Sequence, residues 1–189
     1  MDTLLLDVAA YRNRYRGLAS LEQGTPFRSG AKLIVPIVNE NLTDGHAQGL
    51  EAAVTVAPRT WVRLSATSTT TYLDLTARGN DLNRGVALEG STPRHQFGLR
   101  SMVDIGTNVD VDANIRHSTA IRRLPASAPG VGLPAYAELD LRIAWRPTRA
   151  LEAALVGQNL LHDHHAEFGQ AAMRGEIQRA VYASLTWRR

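Results

Sequence analysis

A histidine-rich run near the carboxy-terminal end carries the side chains best suited to metal chemistry. It reads His162-Asp163-His164-His165. Imidazoles together with a carboxylate can bind zinc, copper or nickel. Neighbouring residues of a strand or loop point in different directions, however, so the run defines no ligand set for one ion. We predict no metal site and interpret His162, His164 and His165 as loop residues, with contact to a bound ligand as the alternative.

A second group of candidates consists of charged residues on segments that alternate between polar and apolar positions. Arginine guanidinium groups pair with carboxylates, so they would attract an anionic ligand. The alternative is that these arginines balance neighbouring acids within the protein. The candidates are Arg63, Arg100, Arg116, Glu138, Asp140 and Arg142.

Several classes of chemistry are excluded by the sequence. The chain has no cysteine, which excludes disulfides, thiol catalysis and cysteine-ligated metal. It contains neither Gly-x-Ser-x-Gly nor His-Glu-x-x-His. Asp110-x-Asp112-x-Asn114 resembles the start of a calcium loop, but it lacks glycine at the sixth position. We therefore predict no enzymatic activity and no cofactor.

Alternation with a period of two dominates the elements that must position these residues, and it is typical of β-strands. In residues 135–146 one face carries Leu139, Leu141 and Ile143, while the other carries Asp140 and Arg142. The same pattern predicts seven further strands. They cover residues 3–14, 48–57, 61–75, 95–105, 108–117, 150–159 and 181–188. Residues 31–41, which include Pro36, either extend the second strand or pair within a loop.

The connections between these strands alternate strictly between short and long. The short ones are rich in turn-forming residues. In an up-and-down meander this order places every short turn at one end and every long loop at the other, as outer-membrane barrels do. The three tryptophans fall at the short-turn end, where an interfacial girdle belongs. The short turns are 58–60, 106–107 and 147–149, the long loops are 15–30, 76–92, 119–134 and 161–175, and the tryptophans are Trp61, Trp145 and Trp187.

The overall composition is compatible with a membrane barrel. Mean hydropathy is −0.19 and no apolar run is long enough for a transmembrane helix. A barrel strand contacts lipid only at every second residue, so its average hydropathy resembles that of a globular protein. The net charge of +3 is mild and the basic residues are scattered, which argues against nucleic-acid binding.

Alternation alone leaves open which face meets water. A soluble barrel keeps its apolar face inside, whereas a membrane barrel turns that face to lipid. The polar face mixes acids and bases on neighbouring strands, the apolar face is aliphatic with tryptophan at one edge, and all long loops lie at one end. These features favour the membrane, and a soluble lipocalin-like binder stays as an alternative.

Several segments resemble TonB-dependent outer-membrane receptors, in the order in which that family has them. Gly157-Gln158-Asn159-Leu160-Leu161 and the histidine run after it are similar to the family's penultimate strand and last extracellular loop. The other similar segments are Asp7–Tyr11, Gly49–Ala53, Ser91–Phe97, Leu133–Arg142 and Val181–Arg188.

The resemblance implies a plug domain inside a barrel of about 22 strands, import of a scarce ligand such as a ferric siderophore, and energy supplied through TonB. The implied location is the outer membrane, with lipid and a small-molecule ligand as partners. We expect residues 1–189 to be the carboxy-terminal portion of such a barrel, with TonB contacted only by parts that these residues lack. A freestanding eight-stranded barrel, acting as a small pore or adhesin, is the alternative. Arg189 stands where the family usually has a terminal aromatic residue.

Overall fold

A computed structural model describes residues 3–79, 89–122, 132–168 and 174–188, and Arg189 lies outside this part. Twelve β-strands account for its regular structure. They are β1 (Thr3–Gln23), β2 (Phe27–Ser29), β3 (Lys32–Ile34), β4 (Ile37–Arg59), β5 (Val62–Ala77), β6 (His95–Ile105), β7 (Val109–Ser118), β8 (Tyr136–Thr148), β9 (Leu151–Gln158), β10 (His164–His165), β11 (Ile177–Gln178) and β12 (Ala180–Trp187). No helix in these ranges is long and apolar enough to cross a membrane.

Eight of the strands form one antiparallel sheet in the order β1-β4-β5-β6-β7-β8-β9-β12. Each long strand pairs with the next long strand along the chain, so the sheet is an up-and-down meander. The strand pairs β2–β3 and β10–β11 are small hairpins within the connections. In the described residues β1 and β12 do not pair with each other, so the sheet is an open sector of a wall. The predicted all-β antiparallel architecture is confirmed.

The register places the aliphatic residues on one face of the sheet and the charged residues on the other. Ile115 of β7 lies opposite Leu139 of β8, whereas Asp112 lies opposite Arg142. Directly opposed residues of an antiparallel pair share a face, so the two sets continue from strand to strand. We call these the aliphatic face and the charged face.

The two faces differ in how much of them is covered. On the aliphatic face Leu185 is 72% exposed and Leu6 65%, while on the charged face Glu138 and Ala144 are completely buried. A contiguous exposed aliphatic surface of this kind needs an apolar partner, because soluble monomers rarely leave one uncovered. The charged face is therefore the inner face of the sector, and the aliphatic face is its outer face.

The connections confirm the predicted alternation of short turns and long loops. Short turns join β4 to β5, β6 to β7 and β8 to β9, and long connections follow β1, β5, β7 and β9. Trp61 lies in the first short turn, Trp145 lies near the end of β8, and Trp187 ends β12. All three are at least half exposed at the short-turn end.

The prediction of a loop over residues 15–30 was wrong for residues 15–23, and only 24–30 lie in the connection after β1. β1 continues to Gln23 and pairs with β4, which begins at Ile37. A bulge hides this continuation in the sequence, because the register shifts after Tyr15 and Gly17 has a φ of 64°. At 21 and 23 residues, β1 and β4 are about twice as long as the roughly 9–11 residues that cross a bilayer. The halves of β1 and β4 next to their connection therefore form a hairpin that extends past the central part of the sheet. Residues 32–34 pair within the tip of this hairpin.

Candidate functional site

Glu138 lies at the long-loop end of the charged face and is completely buried. Its carboxylate accepts hydrogen bonds from His162 Nδ1 at 2.6 Å and from the Leu161 amide at 3.1 Å. His165 Nδ1 lies 3.1 Å from the Glu138 oxygen that contacts His162, but it makes no hydrogen bond there. Three residues of the connection after β9 thus fold back onto one carboxylate of β8.

Arg116 of β7 joins the same region to the neighbouring strands. Its guanidinium contacts Asp140 at 3.0 Å and Glu167 at 3.1 Å, and it also donates to the side-chain oxygen of Asn159. His165 Nε2 lies 2.8 Å from the same Glu167 oxygen. We call the connected set the loop clasp: Arg116, Glu138, Asp140, Asn159, His162, His165 and Glu167.

Asn159 determines how the chain leaves β9. Its φ of 54° places it in the left-handed region, which asparagine tolerates better than most residues. Its amide donates to Asp140 at 2.9 Å, and its side-chain nitrogen donates to the Gln178 carbonyl at 3.2 Å. This turn directs the following residues over the charged face and not away from it.

Glu167 makes the loop clasp sensitive to acid. Burial alone would raise its pKa, but hydrogen bonds from His165 and Arg116, together with the Arg116 charge, hold the pKa below its ordinary value of 4.5. The carboxylate stabilises the loop at pH values above that ordinary value, and this contribution is lost as pH falls through the lowered pKa. We expect lower amide protection in residues 162–168 below about pH 4, after correction for the intrinsic pH dependence of exchange, with a smaller acid effect in Glu167→Gln. An unchanged acid effect in that variant would contradict this assignment.

A second group of ion pairs lies nearer the short-turn end of the charged face. Glu152 of β9 contacts Arg142 at 2.7 Å and Arg146 at 3.4 Å. Arg142 also contacts Asp112 at 3.4 Å, and Arg146 pairs with Asp110. These contacts cross three strands, so the charge of Arg142 is already balanced within the wall.

Arg63 and Arg100 differ from the other arginines on this face. Both are exposed, and neither forms an ion pair with any residue that the structure describes. Arg100 lies opposite Asn114 and borders a concavity of about 320 Å³. That concavity is also lined by Asn114, Asp140, Arg142 and Gln158. Asp112 lines the same concavity, but neither arginine forms an ion pair with it or with another acid among the described residues.

The predicted site residues thus separate into two groups. The first group lies together in the loop clasp and consists of Arg116, Glu138, Asp140, His162 and His165. The other residues lie apart from it. Elsewhere on the charged face are Arg63, Arg100 and Arg142, and His164 turns outward to within 3.6 Å of Glu176. Glu138 and His165 are buried in this structure, and ligand contact by the residues named from the sequence stays a prediction. In the ranges described, no three histidine or acidic side chains are arranged to hold a metal ion.

Sequence reasoning missed Asn159, Glu152 and Glu167 as parts of these networks. Glu152 lies on an alternating strand, but its partners depend on the register between strands. Glu167 follows the histidine run closely, yet nothing in the sequence shows that the run folds back. For Asn159 the available signal was the preference of asparagine for left-handed backbone at the end of a strand.

Comparisons with known proteins agree with this architecture. A family model described as TonB dependent receptor-like, beta-barrel matches residues 1–160. The siderophore receptor PiuA from Acinetobacter baumannii superimposes with a TM-score of 0.73 at 17% identity, over 97% of this chain and 26% of that one. A comparison with curated proteins finds no match.

Two further receptors superimpose over the same 97% of the chain. The ferric-catecholate import receptor Fiu from E. coli has a TM-score of 0.69 at 18% identity, with 25% of its own length covered. A variant of the ferric enterobactin receptor PfeA from Pseudomonas aeruginosa has a TM-score of 0.68 at 21% identity, with 29% covered. The chain therefore spans between a quarter and a third of the length of these receptors.

Proposed function

Because the chain belongs to the family of TonB-dependent receptor β-barrels, we propose that it forms the carboxy-terminal sector of such a barrel in the outer membrane. The receptor would import a scarce small ligand such as a ferric siderophore, with a plug domain and TonB coupling supplied by preceding residues. Members of this family are transporters and not enzymes. The aliphatic face would contact lipid, and the charged face would line the wet interior.

The arrangement of the sheet carries this proposal. Eight meandering strands expose an aliphatic face on one side and pair their charges on the other. The outer edges of β1 and β12 present unpaired backbone groups in the described residues, and such edges aggregate unless another strand covers them. Further barrel strands would satisfy both edges.

The two arginines that form no ion pair provide the best contact for an anionic ligand or for a plug domain. Arg100 and Arg63 project from the charged face without an acidic partner among the described residues. His162, which is about half exposed, and His164, which is more exposed, lie at the long-loop end, where a ligand would arrive. The loop clasp would hold these histidines in place by anchoring their loop to β8.

We expect Arg100→Gln to weaken binding of an anionic ferric chelate such as ferric enterobactin by about tenfold, because one charge-assisted contact contributes roughly 1.5–3 kcal/mol. Titration of the receptor in detergent measures this change. Arg59→Gln is the matched control, since Arg59 is also exposed but lies at the short-turn end. Equal affinities for both variants would show that Arg100 does not contact the ligand.

The size of the polypeptide that carries this sequence tests the domain proposal. We expect it in outer-membrane fractions at several times the 20.6 kDa of this chain, with a plug-like segment before Met1. A heat-modifiable 20.6 kDa species would support a freestanding barrel instead. A monodisperse species in water without detergent would support the lipocalin-like alternative.

A further inference from the structure

The outer face of β1 changes character abruptly along its length. Leu4, Leu6, Val8 and Ala10 alternate along its lower part, and the same face then carries Arg12 and Arg14. These arginines lie opposite Gln48 and His46 of β4, so the neighbouring strand turns polar at the same level. Arg16 follows in the bulge before Gly17. We call Arg12, Arg14 and Arg16 the outer arginine cluster, and all three are exposed.

The height of this cluster matches the upper boundary of an apolar band. Eight residues separate Leu4 from Arg12, which is about 26 Å along a strand and roughly 20 Å of height for a strand tilted by about 40°. The lipid-facing band of an outer-membrane barrel is about 25 Å tall. The row of Arg12 continues through Gln48 to Tyr72 of β5. Tyr72 stacks under Arg94, with 5.6 Å from the guanidinium carbon to the ring centre, so the row ends in an aromatic residue typical of an interface.

The positive charge of the cluster is not cancelled by nearby acids. Asp44 of β4 accepts the Gly17 amide at 2.8 Å and pairs with Arg78 at 3.0 Å. Asp74 faces His46 at 3.9 Å. In residues 3–79 and the other described ranges, no carboxylate lies within ion-pair distance of the three arginines.

A concavity of about 550 Å³ opens among these side chains. It is lined by Arg12, Arg14, Arg16, Asp44, His46 and Thr76. Guanidinium groups bind phosphate through two parallel hydrogen bonds, and three arginines line this concavity. The volume is large enough for a phosphorylated sugar or glycerol headgroup. The aliphatic face continues directly below, where acyl chains would pack on Val8 and Leu6.

We propose that the outer arginine cluster binds the phosphate groups of an outer-leaflet lipid. This site is separate from ligand import and lies on the opposite face from the charged interior. It rests on the membrane orientation in the proposed function, because only that orientation brings lipid headgroups to this height. A lipid is favoured over free phosphate because the site and the aliphatic face form one continuous surface.

The test uses the protein as purified in detergent from outer membranes. Native mass spectrometry counts retained lipid after exposure to phosphatidic acid, to diacylglycerol without phosphate, or to inorganic phosphate. We expect retention of phosphatidic acid only, with at least about a tenfold loss in the triple variant Arg12→Gln, Arg14→Gln, Arg16→Gln, since each arginine near anionic lipid contributes about fivefold. The matched control replaces Arg59, Arg149 and Arg188 by glutamine, which removes the same charge at the short-turn end.

Three outcomes would overturn the site: equal retention by the triple variant and the control, equal retention of diacylglycerol, or binding of inorganic phosphate with no preference for the lipid. If the triple variant does not fold, salt dependence in the unmodified protein decides the question. Retention that falls several-fold between 50 and 500 mM NaCl supports the site, and salt-independent retention overturns it. Absence of the protein from outer membranes would instead contradict the proposed function, so the two failures are distinguishable.

Discussion

Replacing Glu138 by alanine is expected to open the loop after β9 at least about thirtyfold more often than in the unmodified chain. Glu138 is completely buried and receives His162 Nδ1 and the Leu161 amide, with His165 Nδ1 3.1 Å away. Removing the carboxylate leaves these donors without an acceptor, and each unsatisfied buried group costs about 1–3 kcal/mol. The two hydrogen bonds that are certain to be lost are those from His162 and Leu161, so we expect a net loss of roughly 2–3 kcal/mol.

Hydrogen exchange of the Arg179 amide measures this opening. That amide donates to the Asp163 carbonyl at 3.0 Å and so reports on the closed loop without contacting Glu138. Glu176→Ala is the control, because Glu176 is half exposed and its contact with His164 is long, at 3.6 Å. We expect this control to change exchange less than about threefold, as surface ion pairs contribute about 0–1 kcal/mol. Equal effects of the two variants would remove Glu138 from the centre of the loop clasp.

Asn159→Ala is expected to destabilise the same loop by about 3 kcal/mol, from two separate physical causes. Asn159 is 8% exposed, and its side chain binds both Arg116 and the Gln178 carbonyl. Losing these hydrogen bonds costs roughly 1 kcal/mol each. Alanine at a φ of 54° adds about 1 kcal/mol, because a Cβ disfavours the left-handed region.

Asn159→Gly separates the two causes, since glycine adopts the same backbone conformation without strain. We expect it to retain about 1 kcal/mol more stability than Asn159→Ala. Trypsin cleavage after Arg174 and Arg179 provides the readout, because the rate follows the population of the open loop when reclosing is fast. Glycine and alanine variants that are cleaved at the same rate would show that backbone conformation contributes nothing at this position.

Glu138→Ala and Asn159→Ala also test how the receptor captures its ligand. Both leave Arg100 and Arg63 unchanged, since neither arginine forms an ion pair with a member of the loop clasp, although Arg100 and Asp140 line one concavity. If the clasp positions His162 and His164 for a ligand, each variant weakens ligand binding in proportion to loop opening. Affinity that is unaffected by an open loop would assign ligand capture to the arginines alone.

The eight main strands, their order and the two faces could be predicted from the amino-acid sequence, except for the halves of β1 and β4 next to their connection. A strand turns successive side chains to opposite sides, so the pattern of Leu139, Asp140, Leu141 and Arg142 fixes which residues share a face whatever the partner strand is. The alternation of short and long connections fixed which ends lie together, because an antiparallel meander reverses direction at every turn. These are local properties, because they depend only on residues that are close together along the chain.

Which charged side chains form ion pairs could not be predicted from the sequence, because it depends on the folded arrangement. Glu138 and His162 are separated by 24 residues, and Arg116 and Glu167 by 51, so their contacts depend on strand register and on the left-handed turn at Asn159. The bulge at Gly17 likewise concealed the upper half of β1, because a one-residue shift exchanges the faces and interrupts the periodicity. Alternation predicts which side of the sheet a residue faces. Its partner depends on the register between neighbouring strands and on where a loop folds back onto the sheet.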